Sequence, residues 1–353
     1  MSNFKSFVPL VLQFFILQAS ACSRVAYTSG AQDGNRTIIG RSMDWLIPTN
    51  SSLYAFPAGI QRNGRAGNNS VQWISKYGSV ITTAYDLASV DGMNTEGLVV
   101  NMLYLADGDY GARNSSKPAM SLSLWLQYFL DNYATASEAA SDLYDANGEA
   151  KYQVRSKEVV QGVPSLQHLS IGDAMGDNLI LEWIDGKLVS HHSKDYTVMT
   201  NEPQFTQQLA INDYWSPISN SSLPGTDRPA DRFARLSHYR AYVPVATDMI
   251  SAVANTAGMI RAVSVPNEPT GISTPNISPT LWRTYSDTLA KTYFWESATT
   301  AFFFWTDLSQ FDLSKNGTIM RLPLMNVDWT RRVGDMKANF VKAPSFNFLE
   351  CDS

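Results

Sequence analysis

The sequence predicts an α+β protein with antiparallel sheets. Strand-like segments follow one another with only turns between them, as in residues 166–199 and 284–306. Helical spacing appears in separate blocks, at 118–143, 232–242 and 248–261, and not after each strand. Runs of strands that alternate with runs of helices are typical of α+β folds, whereas strict β-α-β alternation would indicate a parallel sheet.

Residues 1–21 read as a secretory signal peptide. Lys5 supplies the positive charge, an apolar run follows, and Ala19-Ser20-Ala21 is the small-residue cleavage site. Cleavage there would leave Cys22 as the first residue of the mature chain. We find no internal repeat and no linker, so we expect a single domain over 22–353 that is exported to the periplasm or secreted.

Cys22 is the first candidate catalytic residue. At the start of a processed chain it would carry both a thiol and a free α-amine. The reference pKa of such an amine is about 7.7–8.0, so near neutral pH it can accept the proton of the thiol. Nucleophile and general base then belong to one residue, and no histidine is needed.

Two other interpretations of Cys22 stay open at this point. Lipoprotein leaders also end at a cysteine, although the usual larger apolar residue three places before it is here Ala19. In an oxidising compartment Cys22 could instead pair with Cys351, which is the only other cysteine. Either modification would make the protein an envelope lipoprotein or a binding protein with a blocked thiol.

The predicted N-terminal hairpin brings charged residues to Cys22. Residues 22–28 and 37–42 read as strands, and the turn residues between them centre the hairpin near position 32. Antiparallel pairing about this turn places Cys22 opposite the segment between Arg41 and Asp44. Asp44 can accept a hydrogen bond from the α-ammonium, and Arg41 can lower the pKa of the thiol.

The remaining elements follow from alternation, helical spacing and turn residues. Residues 91–94, Asp-Gly-Met-Asn, read as a turn between two strands. Residues 211–230 contain three prolines and read as a long irregular stretch, which in a compact domain is often part of a site. Strands are also predicted at 78–85, 98–103, 166–171, 179–184, 187–192, 196–199, 284–289, 292–297 and 301–306.

Charge and hydropathy exclude two classes of partner. The net charge is −5 and no basic cluster stands out, which argues against nucleic acid. Beyond the leader, no apolar stretch is long enough to span a bilayer. The four histidines show no metal-ligand spacing, so we predict no metal and no cofactor. The expected partner is a small molecule.

Two later motifs supply further candidates. Thr200-Asn201-Glu202-Pro203 ends a predicted strand with a side-chain amide, and such an N–H can donate to a developing oxyanion. Arg232 opens a predicted helix directly after the long irregular stretch, so it can reach a site beside that stretch. Arg235, three residues on, is the alternative if the register differs.

Taken together, these residues make the chain resemble the choloylglycine hydrolase family, the N-terminal-nucleophile hydrolases that include conjugated bile salt hydrolases and penicillin V acylases. The resemblance extends from Cys22 to about residue 240 and rests on five motifs in the right order. They are the N-terminal Cys22, GRSMDW at 40–45, DGMNTEGL at 91–98, VMTNEP at 198–203, and LPGT at 223–226 leading to DRFAR at 231–235.

The resemblance implies a role for each matched residue. Cys22 is the implied nucleophile and Asp44 the residue that orients its amine. Arg41 and Arg232 are implied to be charged residues that line the site, and Asn201 an oxyanion-hole donor. The position that holds Asn in bile salt hydrolases is Tyr104 here, so the second donor is left open between its side chain and its backbone N–H.

The resemblance also implies the fold and the reaction. The fold would be a four-layer αββα sandwich with two antiparallel sheets. Removal of the leader would unmask the amine of Cys22, and the enzyme would hydrolyse an unstrained amide through an acyl-enzyme. Members are often homotetramers, so we expect a homo-oligomer.

The substrate follows from the leader and from the aromatic residues. Bile salt hydrolases are usually intracellular, whereas related acylases of Gram-negative bacteria carry export leaders. The leader and Tyr104 therefore favour a penicillin V acylase-like amidase, with N-acyl homoserine lactones as further substrates, over a bile salt hydrolase. We expect Met43, Trp45 and Tyr104 to contact the phenoxyacetyl or fatty acyl group.

Overall fold

The structure, a computed structural model, describes residues 22–266, 278–300 and 302–351. The predicted signal peptide, residues 1–21, lies outside the described residues. No helix within these ranges is long and apolar enough to cross a membrane.

The helices are α1 Leu122–Asn132, α2 Ala136–Ser141, α3 Phe205–Trp215, α4 Pro229–Tyr242 and α5 Met249–Ala262. The strands are β1 Ser23–Thr28, β2 Thr37–Asp44, β3 Ser52–Phe56, β4 Gln61–Asn63, β5 Gln72–Ile74, β6 Ser79–Ala84, β7 Ala88–Asn94, β8 Val99–Tyr104, β9 Ala119–Ser121, β10 Gln153–Arg155, β11 Gln167–Gly172, β12 Asn178–Ile184, β13 Lys187–His192, β14 Val198–Thr200, β15 Thr280–Asp287, β16 Thr292–Ser297, β17 Phe303–Asp307, β18 Met320–Pro323, β19 Gly334–Asp335 and β20 Val341–Lys342.

Two large sheets lie face to face between two layers of helices. Over the described ranges, one sheet has seven strands in the order β14-β1-β2-β15-β16-β17-β19. The other has nine, in the order β13-β12-β11-β8-β7-β6-β3-β18-β20. Their neighbouring strands run antiparallel, except that the edge strand β19 is parallel to β17. Helices α4 and α5 pack on the first sheet, and α1 and α2 on the second. The predicted α+β class and αββα sandwich are confirmed.

Side-chain hydrogen bonds cross from one sheet to the other. The hydroxyl of Tyr293 in β16 donates to Asp91 of β7 at 2.6 Å, and that of Thr284 in β15 donates to the same carboxylate at 3.1 Å. Arg41 of β2 donates from Nη2 to the carbonyl oxygen of Met102 in β8 at 2.9 Å. Because a buried polar group that loses its partner is costly, these bonds fix how β2 lies over β8.

The prediction of a turn at residues 91–94 is wrong, because this segment lies inside β7. The Asp91 carboxylate is buried and accepts hydrogen bonds from three side chains. A Cβ added at Gly92 would lie 2.8 Å from both Ile81 Cγ2 and the carbonyl oxygen of Val80. Turn-type residues occur here because the carboxylate is paired between the sheets and because the glycine permits close backbone approach.

The single helix predicted over 118–143 is in fact β9 followed by two helices, α1 and α2. Helix α1 ends at Asn132, and the C-cap residue that follows, Tyr133, has an extended backbone. Thr135 then caps α2, because its Oγ1 accepts from the N–H of Glu138 at 3.1 Å. The Glu138 carboxylate in turn accepts from the N–H of Ala134 at 2.9 Å. This reciprocal cap starts a new helix although the apolar spacing continues.

The predicted irregular stretch at 211–230 is also partly helical, since α3 extends to Trp215. Strand β3 escaped prediction because all five of its residues are buried, so it shows no alternation. Apart from β7, the other unpredicted strands are only two to four residues long, which is too short for a pattern. They are β4, β5, β9, β10, β18, β19 and β20.

Two glycine substitutions test the packing of the second sheet. Gly92→Ala should lower the free energy of unfolding by about 1–3 kcal/mol, because its Cβ would meet backbone and two side chains. Gly258→Ala is the control: Gly258 is exposed on α5 with open space around it, so alanine should raise stability by about 0.5–1 kcal/mol. Urea unfolding midpoints measure both, and equal midpoints would contradict the account.

Candidate active site

The hairpin of β1 and β2 has the predicted register. Ser23 pairs with Ser42 and Arg24 with Arg41, so Cys22 lies opposite the end of β2, as predicted. On its other edge β1 pairs with β14, where Ser23 faces Thr200. Asn201, the next residue, therefore arrives beside Cys22.

The thiol of Cys22 is buried, with 2% of the residue exposed. Its Sγ lies 3.6 Å from Nη2 of Arg41 and 3.8 Å from the carbonyl oxygen of Asp44. The Sδ of Met43 is 4.0 Å away. The hairpin thus gives the thiol a cation on one side and the end of β2 on the other.

Asn201 links Cys22 to the second sheet. The backbone N–H of Cys22 donates to Oδ1 of Asn201. Nδ2 of Asn201 donates to the carbonyl oxygen of Tyr104 at 2.8 Å. One buried side-chain amide therefore holds both the nitrogen of the candidate nucleophile and the end of β8.

The N–H of Tyr104 faces the same cluster. The N–H of Leu105 donates to the carbonyl oxygen of Leu166 at 3.1 Å, so Leu105 faces the side of β11. Consecutive residues of a strand direct their backbone polar groups to opposite edges. The N–H of Tyr104 consequently points away from β11, to the edge where its own carbonyl meets Asn201.

Arg232 reaches the site from α4, as predicted. It is buried and donates from Nη1 to the carbonyl oxygen of Cys22 at 2.8 Å and to Ser23 Oγ. Its Nη2 lies 3.3 Å from Asn201 Oδ1, and its Nη1 lies 3.7 Å from the Asp44 carboxylate. Burial lowers the pKa of Arg232, and the negative charge of Asp44 opposes that shift.

The alternative arginine, Arg235, serves the neighbouring loop. It donates to the carbonyl oxygens of Pro224 at 3.0 Å and Thr226 at 2.6 Å, and it lies 3.8 Å from the Asp227 carboxylate. It therefore braces the chain that leads into α4. Arg232, and not Arg235, is thus the arginine that donates to the carbonyl oxygen of Cys22.

Asp44 joins the cluster through its neighbours. Its carboxylate accepts hydrogen bonds from Thr280 Oγ1 at 2.6 Å and from Ser42 Oγ at 3.4 Å, next to Arg232. Burial raises the pKa of Asp44 to about 6, although Arg232 and Thr280 act in the opposite direction. In the intact chain the Cys22 N–H is held by Asn201, and the expected contact from this nitrogen to the Asp44 carboxylate is not formed.

Arg41 is a buried cation at the base of the site. Besides Met102 and the Cys22 thiol, it contacts the Sδ of Met43 at 3.3 Å, and its guanidinium lies 4.6 Å from the ring centre of Trp282. Its Nε and Nη1 have no hydrogen-bond partner among the described residues. Its charge opposes the burial-driven rise in the pKa of Asp91, which marks Asp91 as a nearby buried carboxyl group.

A largely apolar pocket opens beside the thiol. The three residues expected at the acyl group, Met43, Trp45 and Tyr104, all line it. The rings of Trp45 and Tyr104 are 6.0 Å apart, and the Trp45 indole donates to the hydroxyl of Tyr85 at 2.7 Å. The remaining lining residues are Cys22, Arg41, Thr49, Ala84, Tyr85, Leu87, Ala88, Val90, Met102, Ser121, Leu122, Ser123, Lys157, Val159, Val160, Val163, Pro164, Ser165, Gln167 and Leu349.

Cys351 does not block the thiol. Both cysteines are free, and the alternative of a disulfide between them is not formed. Cys351 Sγ lies 3.2 Å from Ser121 Oγ and donates to the carbonyl oxygen of Arg155 at 3.2 Å. Burial raises the pKa of this second thiol, which disfavours its thiolate.

Sequence reasoning missed several residues that complete the site. Thr280 begins β15, which pairs with β2, and Met102 lies in β8, which packs over β2 in the other sheet. Both placements depend on the tertiary fold and have no local sequence signal. Ser23 and Ser42 lie within the predicted hairpin. The alternation of side chains between the two faces of each strand was the signal that could have placed them at the site. The loop before β11, at 157–165, carried no motif.

Comparison with known proteins identifies the family. The family described as linear amide C–N hydrolases, choloylglycine hydrolase family, matches residues 22–321. The chain belongs to this family. A penicillin V acylase of Pectobacterium atrosepticum is 38% identical over 351 residues, which is 93% of this chain and 92% of that protein.

Solved structures agree with this membership. The penicillin V acylase of Agrobacterium tumefaciens has a TM-score of 0.83 and 40% identity, over 93% of this chain and 99% of its own. A mutant of the conjugated bile acid hydrolase of Clostridium perfringens has a TM-score of 0.70 at 17% identity, over 84% of this chain and 95% of its own, and shares the fold. The protein is therefore a linear amide C–N hydrolase that resembles penicillin V acylases.

A buried carboxylate anchors the segment that carries Asn201 in this family member. The N-terminal residue of α3, Phe205, donates its N–H to both oxygens of Glu182 at 3.0 and 3.1 Å. His168 Nδ1 and His191 Nε2 each lie 3.3 Å from that carboxylate. Burial raises the pKa of Glu182, but the hydrogen bonds from His168, His191 and Phe205 outweigh it and hold the pKa at about 2.

The depressed pKa of Glu182 predicts a pH-dependent stability. The contribution is complete above the unfolded-state pKa, about 4.5, and is lost as the pH falls from there toward 2. Glu182→Gln should lower the free energy of unfolding by on the order of 2–3 kcal/mol at neutral pH. Urea unfolding at several pH values checks this, since the gap between wild type and variant must shrink below the unfolded-state pKa. A gap that is independent of pH would contradict the assignment.

Proposed function

We propose that the protein is a penicillin V acylase-like amidase in which Cys22, freed at its amino terminus by removal of residues 1–21, is the nucleophile. One observation carries the proposal. The Cys22 thiol lies buried beside the Arg41 guanidinium while the nitrogen of the same residue is held by Asn201, at the wall of an apolar pocket. The match to the family also begins at residue 22.

The α-amine acts as general base. In the mature chain it takes the thiol proton, and Arg41 stabilises the thiolate that remains. Asn201 and the nearby Asp44 carboxylate orient the ammonium that forms. The positive ammonium in turn favours ionised Asp44, which otherwise has a pKa of about 6 through burial.

The reaction then proceeds through a thioester. The Cys22 thiolate adds to the amide carbonyl carbon, and the carbonyl electron pair moves to oxygen. When the tetrahedral intermediate collapses, the C–N bond breaks and the leaving amine takes the proton from the α-ammonium. Water, deprotonated by the same amine, attacks the thioester, and the C–S bond breaks to release the carboxylic acid and restore the thiol.

Two donors stabilise the oxyanion. Asn201 Nδ2 has two hydrogens, and only one is used by the carbonyl oxygen of Tyr104. The N–H of Tyr104 points to the same edge of β8. The backbone, and not the phenol, is therefore the second donor, which explains how Tyr replaces the Asn of bile salt hydrolases.

The apolar pocket accepts the acyl group. Met43, Trp45 and Tyr104 offer a thioether and two rings next to the thiol, which suits stacking on a phenoxyacetyl group. The two relatives of about 40% identity are named penicillin V acylases. Because the lining continues into further apolar residues, we also propose long-chain N-acyl homoserine lactones as substrates, in a periplasmic quorum-quenching role. A homotetrameric state stays a prediction.

Penicillin V hydrolysis tests the nucleophile. Wild type should release phenoxyacetate, and Cys22→Ser should reduce kcat by at least about 10³-fold because the thiolate is lost. Acid quenching during turnover should trap a phenoxyacetyl adduct whose mass maps to Cys22. Ser75→Ala, a buried serine outside the pocket, is the matched control and should retain activity. Full activity of Cys22→Ser, or an adduct elsewhere, would contradict the proposal.

A second pair of variants tests the oxyanion donors. Asn201→Ala should reduce kcat by about 10²–10³-fold, the usual effect of removing one donor. Tyr104→Phe should leave kcat within a few-fold of wild type, because its backbone N–H is retained. A loss of activity in Tyr104→Phe equal to that in Asn201→Ala would show that the phenol is the donor.

A further inference from the structure

One wall of the acyl pocket is built by the C-terminal segment of the described chain. Leu349 lines the pocket. Its N–H donates to the carbonyl oxygen of Leu87 at 2.8 Å. Its carbonyl oxygen accepts hydrogen bonds from Ser121 Oγ at 2.7 Å and from Ser123 Oγ at 2.8 Å. Leu87, Ser121 and Ser123 line the same pocket, so these hydrogen bonds attach the C-terminal tail, residues 346–351, to the pocket wall.

The neighbours of Leu349 hold it in place. Cys351 donates its N–H to the carbonyl oxygen of Arg65 at 2.9 Å, and its thiol contacts Ser121. On the other side Phe348 is buried, with its ring 4.5 Å from that of Phe346. Leu349 itself is only partly buried, as expected for a side chain that faces a cavity.

Leu349 and Cys22 line the same pocket but are held by different residues. The polar contacts of Cys22 go to Arg41, Met43, Asp44, Asn201 and Arg232. The hydrogen bonds of Leu349 go to Leu87, Ser121 and Ser123. Trp45 and Tyr85, which are hydrogen-bonded to each other, line the pocket as well, and Tyr85 lies two residues before Leu87. An acyl group whose carbonyl carbon lies at the thiol would occupy the pocket that Leu349 also lines.

Leu349 lies beyond the segment that the family model matches. The family match ends at residue 321, and Leu349 follows it by more than two dozen residues. The catalytic cluster, in contrast, is matched from Cys22 onward. Leucine carries no reactive group, so a leucine that lines the substrate pocket is suited to set specificity and not chemistry.

We propose that Leu349 limits the length of the acyl group that the enzyme accepts. This inference rests on the proposed function, since it assumes that the acyl group occupies this pocket. A chain that ends before Leu349 binds without hindrance, whereas a longer one must displace the side chain of a residue whose backbone N–H and carbonyl oxygen are both hydrogen-bonded.

A series of N-acylated penicillins with straight chains from butanoyl to dodecanoyl tests the proposal, because the leaving amine stays constant. L349A should raise kcat/KM for the longest chains relative to the shortest by about tenfold, as expected for room worth two or three methylenes. L349W should shift the preference to shorter chains by a similar factor. N347A, which changes an exposed residue of the same tail, is the matched control and should keep the wild-type length profile.

The outcomes separate the two claims. If wild type hydrolyses the series and neither L349A nor L349W changes the length profile, the role of Leu349 is overturned and the proposed function stands. If wild type hydrolyses neither penicillin V nor any member of the series, the proposed function fails and this inference with it. Urea unfolding midpoints equal to that of N347A show that a changed profile comes from the pocket and not from a loosened tail.

Discussion

The side chain of Asn201 joins the two sheets at the point where the thiol lies. It accepts a hydrogen bond from the nitrogen of Cys22 in the first sheet and donates one to the carbonyl oxygen of Tyr104 in the second. The nucleophile, its nitrogen and the end of β8 are thereby fixed relative to one another by one buried amide. Glu182 stabilises the segment that carries Asn201. Its carboxylate accepts hydrogen bonds from the N–H of Phe205, which is the first residue of α3 and lies four residues after Asn201.

The site gathers charges that would be costly in isolation. Arg41, Arg232 and Asp44 are all fully buried, and burial disfavours every charged side chain. The attraction of both guanidiniums to the Asp44 carboxylate and their hydrogen bonds to the backbone carbonyl oxygens of Cys22 and Met102 offset that cost. In such a buried setting a guanidinium 3.6 Å from a sulfur interacts with it more strongly than it would in water. Burial therefore has two effects: it raises the free energy of the charged side chains, and it strengthens their interactions with one another and with the thiol.

Local rules and family motifs predicted the centre of this site but not its surroundings. Turn chemistry and antiparallel pairing were sufficient to bring Cys22 between Arg41 and Asp44. Asn201 and Arg232 were found through ordered motifs, because their proximity depends on strand order and on where α4 crosses β14. Leu349 carried no signal, since a tail residue enters the pocket only through long-range contacts. Gly92 was misread because a residue that suits a turn also suits close packing in a strand.

The central claim is that the α-amine of Cys22 is the base, and the N-terminus of the purified enzyme tests it most directly. Intact mass and N-terminal sequencing should be compared with penicillin V hydrolysis in preparations that contain different fractions of processed chain. The account predicts that activity is proportional to the fraction that begins at Cys22, and that chains retaining Ala21 are inactive. Turnover by a chain in which Cys22 is still acylated by a preceding residue, or by a lipid, would contradict it.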